Sequence, residues 1–311
     1  MIRRWLFALV FVLFVPTGAL AQCTFNITPV AFGNVNVITG GAVDIIATLE
    51  ISCTGLALLR RICPSIAAGS GGATSTARQM KGPGGAILNY QLYSDATRST
   101  IWGSYDWGFS ARPPTIDTTL GLGQSTTRPI YARVFTGQTT VPPGSYISNF
   151  TAADTNFLYA QLLGVTACPN LLLPQQAHPT FTVTATVVPT CLVATQDVDF
   201  GTRGLLSSNV DATGQLAVTC TATTSYTVGL NGGNANGPPT ARKMSKGLQT
   251  VTYGLYRDAP RSLPWGDTVG NTLAGTGSGL AQPLTVFGRV PPQTTPSPGL
   301  YTDTIVSTVT Y

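Results

Sequence analysis

An internal repeat constrains this chain more than any other feature of its sequence. Cys23 and the Phe32-Gly33 pair recur as Cys191 and Phe200-Gly201, each displaced by the same 168 positions. Further matches follow in the same order: 51–53 with 218–220, 77–82 with 241–247, 90–95 with 253–258, Trp102 with Trp265, Arg133 with Arg289, and 143–146 with 298–301. So many ordered matches at so long a period indicate two copies of one domain.

The composition favours an all-β fold. Charged residues make up only 9% of the 311 residues, whereas 34 glycines and 22 prolines supply many turns. Short runs of β-branched residues between such turns are typical of an immunoglobulin-like β-sandwich. The predicted strands lie near 24–33, 43–53, 61–67, 86–93, 127–136, 145–152 and 180–188 in the first copy, and near 192–200, 214–221, 225–231, 250–257, 283–290 and 300–311 in the second.

The clearest strand ends the first copy. Phe181, Val183, Ala185 and Val187 alternate with threonines, which is the period of a half-buried strand. Pro189 stops this strand because it has no N–H to donate, and Cys191 then opens the second copy. The second copy has no equivalent of this strand, so it has six predicted strands against seven in the first.

The N-terminus reads as a secretory signal peptide. Two arginines, an apolar run at 5–15 and the A-x-A sequence at 19–21 predict cleavage after residue 21. The remaining chain divides into an N-terminal domain, 22–188, and a C-terminal domain, 189–311. Removing Arg3 and Arg4 lowers the net charge from +5 to +3, which is too weak to predict a nucleic-acid partner.

Six cysteines in an exported chain predict three disulfides. Spacing alone leaves fifteen pairings open. The repeat assigns Cys23–Cys53 and Cys191–Cys220, because both pairs occupy the same place in their copies. Cys63 and Cys168 have no counterparts in the second copy, so we expect them to pair with each other.

No pattern of catalytic chemistry emerges from the sequence. The single histidine, His178, has no cysteine or carboxylate partner at metal-ligand spacing, and disulfide-bonded cysteines cannot bind a metal. The twelve carboxylates are scattered along the chain. We therefore predict that the protein is not an enzyme and uses no metal or cofactor.

The repeated motifs resemble those of the spore coat protein U domain, which is itself similar to the pilin fold of archaic (Csu-type) chaperone–usher pili. In that family, an alternating segment before the first cysteine is the donor strand given to a neighbouring subunit. Here the segment 180–188 follows a complete copy, whereas cleavage leaves only Gln22 before Cys23. The resemblance therefore implies a two-domain tip adhesin, exported through the periplasm to the cell surface, whose N-terminal domain is closed by its own strand.

The same resemblance implies that the C-terminal domain lacks its last strand and accepts one from a partner. The expected partners are a periplasmic pilus chaperone, the outer-membrane usher and then an adjacent pilin subunit. Ile305, Val309 and Tyr311, with Tyr301 on the same face, should flank the acceptor groove. The alternative is a domain that is complete with six strands and ends in an ordinary edge strand at Tyr311.

Apolar segments found only in the first copy are the candidate attachment surface. Their loops should gather at one end of an immunoglobulin-like sandwich, where the Cys63–Cys168 disulfide would join two of them. The candidate residues are Leu56, Leu58, Leu59, Trp107, Phe109, Phe157, Leu158, Leu171, Leu172 and Leu173. The expected function is attachment to hydrophobic or host surfaces and biofilm formation.

Three alternatives stay open at this point. The segment 157–163 could fill the core of its own domain as an extra strand or short helix. The protein could be a structural component of a coat or matrix. It could also be a lectin-like adhesin in which Tyr105 and Trp107 stack on sugars.

Overall fold

The computed structural model describes residues 22–161 and 167–311. The predicted signal peptide, 1–21, and Leu162 and Leu163 of the apolar segment lie outside the described residues. Each half of the chain forms a β-sandwich with its own hydrophobic core. The prediction of two all-β domains in tandem is confirmed. Within the described ranges, no helix combines the length and apolar character needed to cross a membrane.

The first domain packs a large sheet on a small one. The large sheet has the order β1-β3-β8-β6-β5-β9-β12-β2, and the small sheet has the order β11-β10-β4-β7. The strands are β1 (Cys23–Ile27), β2 (Val30–Val35), β3 (Val43–Cys53), β4 (Arg60–Ile66), β5 (Arg78–Lys81), β6 (Ile87–Tyr93), β7 (Ile116–Thr118), β8 (Gln124–Val134), β9 (Gly144–Phe150), β10 (Thr155–Gln161), β11 (Gln175–Ala177) and β12 (Phe181–Val187). Two short 3-10 segments lie at Pro83–Gly85 and Cys168–Asn170.

The second domain repeats this plan with fewer strands. Its large sheet has the order β13-β14-β19-β17-β16, and its small sheet has the order β18-β15-β20. The strands are β13 (Cys191–Thr195), β14 (Val210–Cys220), β15 (Ser225–Leu230), β16 (Arg242–Lys246), β17 (Gln249–Tyr256), β18 (Leu273–Thr276), β19 (Gln282–Val290) and β20 (Ser307–Thr310).

Two predicted strands are broken in the structure. The run predicted at 24–33 is split into β1 and β2 around Pro29, which has no N–H for a ladder. The run predicted at 300–311 forms a strand only at Ser307–Thr310, and its earlier part makes a single β-bridge, between Thr302 and Ser245. The segment before β20 therefore lacks the ladder that its counterpart β9 makes in the first domain.

A tryptophan and an arginine are buried at matching positions of the two domains: Trp102 and Arg78 in the first, and Trp265 and Arg242 in the second. The indole N–H of Trp102 donates to the Pro64 carbonyl at 2.7 Å, and that of Trp265 donates to the Val228 carbonyl at 3.0 Å. Both tryptophans are buried, as expected for residues that belong to the shared framework.

Three disulfides join the cysteines in the predicted pairs. Cys23–Cys53 links β1 to β3, and Cys191–Cys220 links β13 to β14 at the equivalent position. Cys63–Cys168 links the middle of β4 to the 3-10 segment Cys168–Asn170 across 105 positions of sequence.

Candidate functional site

Strand β12 lies inside the first domain, between β9 and β2. It pairs antiparallel with β9, from Phe181 opposite Phe150 to Val187 opposite Gly144, and parallel with β2. All four predicted closing residues are buried in the first core: Phe181, Val183, Ala185 and Val187. The ring of Phe181 stacks on that of Phe150 with 4.3 Å between centroids. The apolar face of β12 is therefore part of the first domain's core.

The second domain keeps both neighbours of this strand position but leaves the position open. By the repeat, 299–305 matches β9 and 198–203 matches β2. The ring centroids of Phe200 and Tyr253 are 6.0 Å apart, and those of Phe32 and Tyr90 are 6.1 Å apart. Gly201 and Gly33 have the same φ of 68°. Between the two segments lies a cleft of about 450 Å³ that no described residue of the chain fills.

The cleft has an apolar floor and partly acidic walls. The floor residues come from the second core: Leu216, Leu230, Met244, Tyr253, Leu255 and Val286. Val198 and Phe200 line one wall, and Tyr301 and Ile305 line the other. The cleft is also lined by three carboxylates: Asp197, Asp199 and Asp303.

Asp303 is hydrogen-bonded to a residue of the second core, Tyr253. It accepts a hydrogen bond from the Tyr253 hydroxyl at 2.7 Å and another from the Asn234 backbone N–H at 2.8 Å. Burial, and then this bond to the carboxylate, raise the pKa of Tyr253, so the hydroxyl stays protonated and donates.

Of the three residues predicted to edge an acceptor groove, one lines the cleft. Ile305 lines the cleft. Val309, in β20, pairs instead with Val228 of β15 and packs against the second core. Tyr311 is 56% exposed and lies beside β15 and β18, away from the cleft. The reason is that the chain passes from one sheet to the other before Ser307, so later residues belong to the opposite layer. Leu300 and Asp303 line the cleft and were not predicted, although the repeat had already matched this segment to β9.

Three segments of the first domain leave the sandwich at the same end. Arg60 begins β4 and pairs with Thr118 at the end of β7 and with Gln161 at the end of β10. The loops 54–59 and 119–123 adjoin that end. The segment 171–174 also lies there, because β11 begins at Gln175 opposite Tyr159.

The exposed leucines of these three segments lie at this end of the sandwich, and we call them together the leucine surface. Leu56 is 75% exposed, Leu172 is 72% exposed and Leu173 is 95% exposed, and Leu58 and Leu59 are exposed to a smaller degree. Leu122, which was not predicted, joins them at 78% exposure. Leu171 is only half-buried and lies at the margin.

A buried arginine holds two of these loops together. The Arg60 guanidinium donates to the Leu56 carbonyl at 2.8 Å and to the Leu120 carbonyl in the neighbouring loop. The guanidinium therefore connects 54–59 to 119–123 beneath the leucine surface. Sequence reasoning missed Arg60, because no local pattern distinguishes it from the adjacent Arg61.

Phe157 and Leu158 are not part of the leucine surface. Phe157 is fully buried in β10, with its ring 5.1 Å from that of Phe25, so its prediction as a surface residue is wrong. Leu158 is half-buried in the same strand, which lies between β4 and β11. The alternative that 157–163 is an extra strand is correct for 157–161, and 162 and 163 lie outside the described residues. The physical reason is the period of two that Thr155, Phe157 and Tyr159 present to the core.

Trp107 and Phe109 lie at the opposite end of β4. Their loop adjoins Ile66, whose backbone N–H donates to the Gly103 carbonyl at 3.0 Å. The ring of Trp107 covers the Arg78 guanidinium at 4.7 Å, and its N–H donates to the Ala111 carbonyl at 2.9 Å. The prediction that all the candidate loops meet at one end is therefore wrong for these two half-buried aromatics.

The part of the chain that the structure describes contains no group of three or more His, Cys, Asp or Glu side chains able to hold a metal ion. The two candidate features are instead the cleft in the second domain and the leucine surface on the first.

Comparison with known proteins gives the family. A family model described as the Spore Coat Protein U domain matches residues 9–153 and 177–308. Protein U of Myxococcus xanthus is 36% identical over an alignment of 128 residues, and the match covers 37% of this chain and 71% of that protein.

Of the two solved structures that follow, the first shares the fold of this chain. The chaperone–tip adhesion subunit pre-assembly complex CsuC-CsuE, from archaic chaperone–usher Csu pili of Acinetobacter baumannii, matches with a TM-score of 0.55 at 17% identity, over 93% of this chain and 100% of that one. The CupB6 tip adhesin of Pseudomonas aeruginosa matches with a TM-score of 0.43 at 12% identity, over 93% and 94% of the two chains. From the two matched regions, the chain belongs to the Spore Coat Protein U domain family.

Proposed function

We propose that the protein is an attachment subunit at the tip of a chaperone–usher pilus, exported and held at the cell surface. One observation carries the proposal: the same strand position is filled by β12 in the first domain and is an open cleft in the second. In this proposal the second domain joins the fibre by accepting a strand, and the first domain is left free to bind.

Strand addition fits the chemistry of the cleft. An incoming strand would supply ladder hydrogen bonds to 299–305 and place alternate apolar side chains on the floor. Burying one Val- or Phe-sized side chain is worth roughly 1.5–3 kcal/mol. The expected partners are a periplasmic chaperone, the usher and then a neighbouring pilin. The similar Acinetobacter baumannii complex contains a chaperone, which supports this class of partner.

The leucine surface is the proposed site of attachment. Exposed apolar patches mark contact sites in soluble proteins, and here the disulfide and Arg60 hold the patch on a fixed base. The ligand in this proposal is a hydrophobic surface, and contact through many fibres would add avidity during biofilm formation.

Attachment of purified protein to polystyrene beads tests this role. We expect a Leu56→Ser, Leu172→Ser, Leu173→Ser variant to lose at least about tenfold in bead binding, because apolar area drives it. Leu248→Ser and Val269→Ser together form the matched control, since both residues are fully exposed on the second domain. Equal binding by the loop variant and the control would rule out the leucine surface.

A coat or matrix component is the second candidate, favoured by the family description and by the match to Protein U. Such a component must associate with itself. Sedimentation of the purified chain distinguishes the two roles: growth into polymers without another protein supports the coat role, and a stable monomer supports the tip role.

A further inference from the structure

The open cleft and the closed strand position differ in charge. The cleft is lined by Asp197, Asp199 and Asp303, and none of its lining residues is basic. The matching residues around β12 are Pro29, Ala31 and Ser148, which carry no charge. The occupant of the cleft therefore meets carboxylates that β12 does not meet.

The register of β12 identifies which residue would face Asp303. In the first domain, Val183 pairs with Ser148 on the adjacent antiparallel strand, and both are buried. Ser148 matches Asp303 in the repeat. Directly opposed residues on antiparallel strands have Cβ atoms about 4.5–5.5 Å apart. A strand in this register therefore places its equivalent of Val183 against the Asp303 carboxylate.

Ser148 and Asp303 need different partners. The Ser148 hydroxyl is bonded within its own domain, where it accepts from the Gly71 backbone N–H at 3.3 Å. Asp303 already accepts from Tyr253, Asn234 and Thr304, but a carboxylate has about four acceptor sites. When a strand displaces water from the cleft, a facing valine leaves the remaining capacity unpaired, whereas a hydroxyl or amide donor satisfies it.

The fold does not need a carboxylate at this place. The buried arginine near Asp303 is Arg242, and its counterpart Arg78 is equally buried with Ser148 in the matching position. Both guanidinium groups are held by backbone carbonyls. Balancing the charge of the arginine is therefore not a sufficient reason for Asp303.

We propose that Asp303 is a specificity-determining residue that selects a partner strand with a hydrogen-bond-donating side chain at the position facing it. This inference rests on the proposed function, because it assumes that the cleft accepts a strand. It also implies that Asp303 disfavours the chain's own alternating segment, which presents Val183, so that copies of the protein do not polymerise through β12.

Peptide binding to the full chain tests the selection. Two fluorescent peptides with the same solubilising tag carry the sequence 180–188, one with Val183 and one with the nearly isosteric Val183→Thr change. Their dissociation constants are measured for the wild type and for Asp303→Ser, which installs the residue found in the first domain. The first domain is identical in both proteins, so any exchange with β12 cancels in the comparison.

We expect the wild type to bind the threonine peptide at least about fivefold more tightly than the valine peptide, and Asp303→Ser to reduce that ratio to about twofold or less. If Asp303→Ser does not fold, Asp303→Asn is measured in the same way, with the ratio again expected to fall. An unchanged ratio overturns the role of Asp303 alone. Failure of both peptides to bind the wild type overturns the strand-accepting cleft as well.

Discussion

At the scale of single residues, Arg78 and Arg242 recur in the repeat because each is buried and its guanidinium donates to backbone carbonyls. The Arg78 guanidinium donates to the carbonyls of Ala67, Ile66 and Trp102 at 2.6–2.7 Å. Burial lowers the pKa of Arg78 to about 10, which still leaves it charged at neutral pH. The planar fork of arginine joins the end of β4 to the loop after β6, which a point charge such as lysine cannot do in the same geometry.

We therefore expect Arg78→Lys to lower the free energy of unfolding of the first domain by about 2–4 kcal/mol, because buried carbonyls lose their donors. Denaturant unfolding of the full chain measures this, with Arg128→Lys as the control, since Arg128 is exposed. A loss no larger than that of the control would show that the guanidinium network does not hold the domain together.

Asp44 and Asp211 give the protein a defined response to acid. The hydrogen bond from Arg133 lowers the pKa of Asp44 below its usual value of 3.8, and Arg289 does the same for Asp211. A carboxylate with a lowered folded pKa contributes stability above its unfolded pKa and loses it as pH falls through the folded pKa.

The difference in unfolding free energy between the wild type and Asp44→Asn should be constant above about pH 5 and shrink below about pH 4. Denaturant titrations at pH 7, 4 and 2.5 measure it. A difference that stays the same down to pH 2.5 would mean that the Asp44–Arg133 pair does not shift this titration.

At the scale of elements, β12 is the strand that distinguishes the two domains. Val183 is fully buried between β9 and β2, whereas Thr186 on the same strand points outward and is exposed. Val183→Asp should destabilise the first domain by roughly 3–5 kcal/mol, because it buries an unpaired carboxylate. Thr186→Asp should change stability by no more than about 0.5 kcal/mol. Thermal unfolding followed by tryptophan fluorescence tests both, and equal effects would contradict the placement of β12.

Some of these elements follow from the sequence and others do not. The alternation at 181–187 and the repeated cysteines predict a strand and its disulfides directly, because both depend on local period and matched position. Strand β10 carried a weaker form of the same period at Phe157 and Tyr159. The position of Trp107 over Arg78 could not be predicted, because it joins two loops whose approach is set only by the folded β4.

The candidate site also has parts that the sequence predicts and parts that it does not. The repeat locates the cleft, because 299–305 and 198–203 match the neighbours of β12. It does not reveal Arg60 beneath the leucine surface or the bond between Asp303 and Tyr253, since each joins residues distant in sequence. Leu122 lies in the loop 119–123, where no periodic pattern separates it from a core leucine.

At the scale of the whole molecule, the two domains are copies of one fold that differ at one strand position. The first is closed by its own strand and presents the leucine surface. The second leaves the same position open with an apolar floor, which is an aggregation hazard unless a partner covers it. This asymmetry is the basis of the proposed place at the end of a fibre.

Amide hydrogen exchange on the isolated chain tests this asymmetry most directly. Apart from Thr302, whose amide donates to the Ser245 carbonyl, the amides of 299–305 and 198–203 should exchange at least about 100-fold faster than those of β9 and β2 that donate to β12. Equal and strong protection of the two sets would show that a strand already fills the second domain, and would contradict the account.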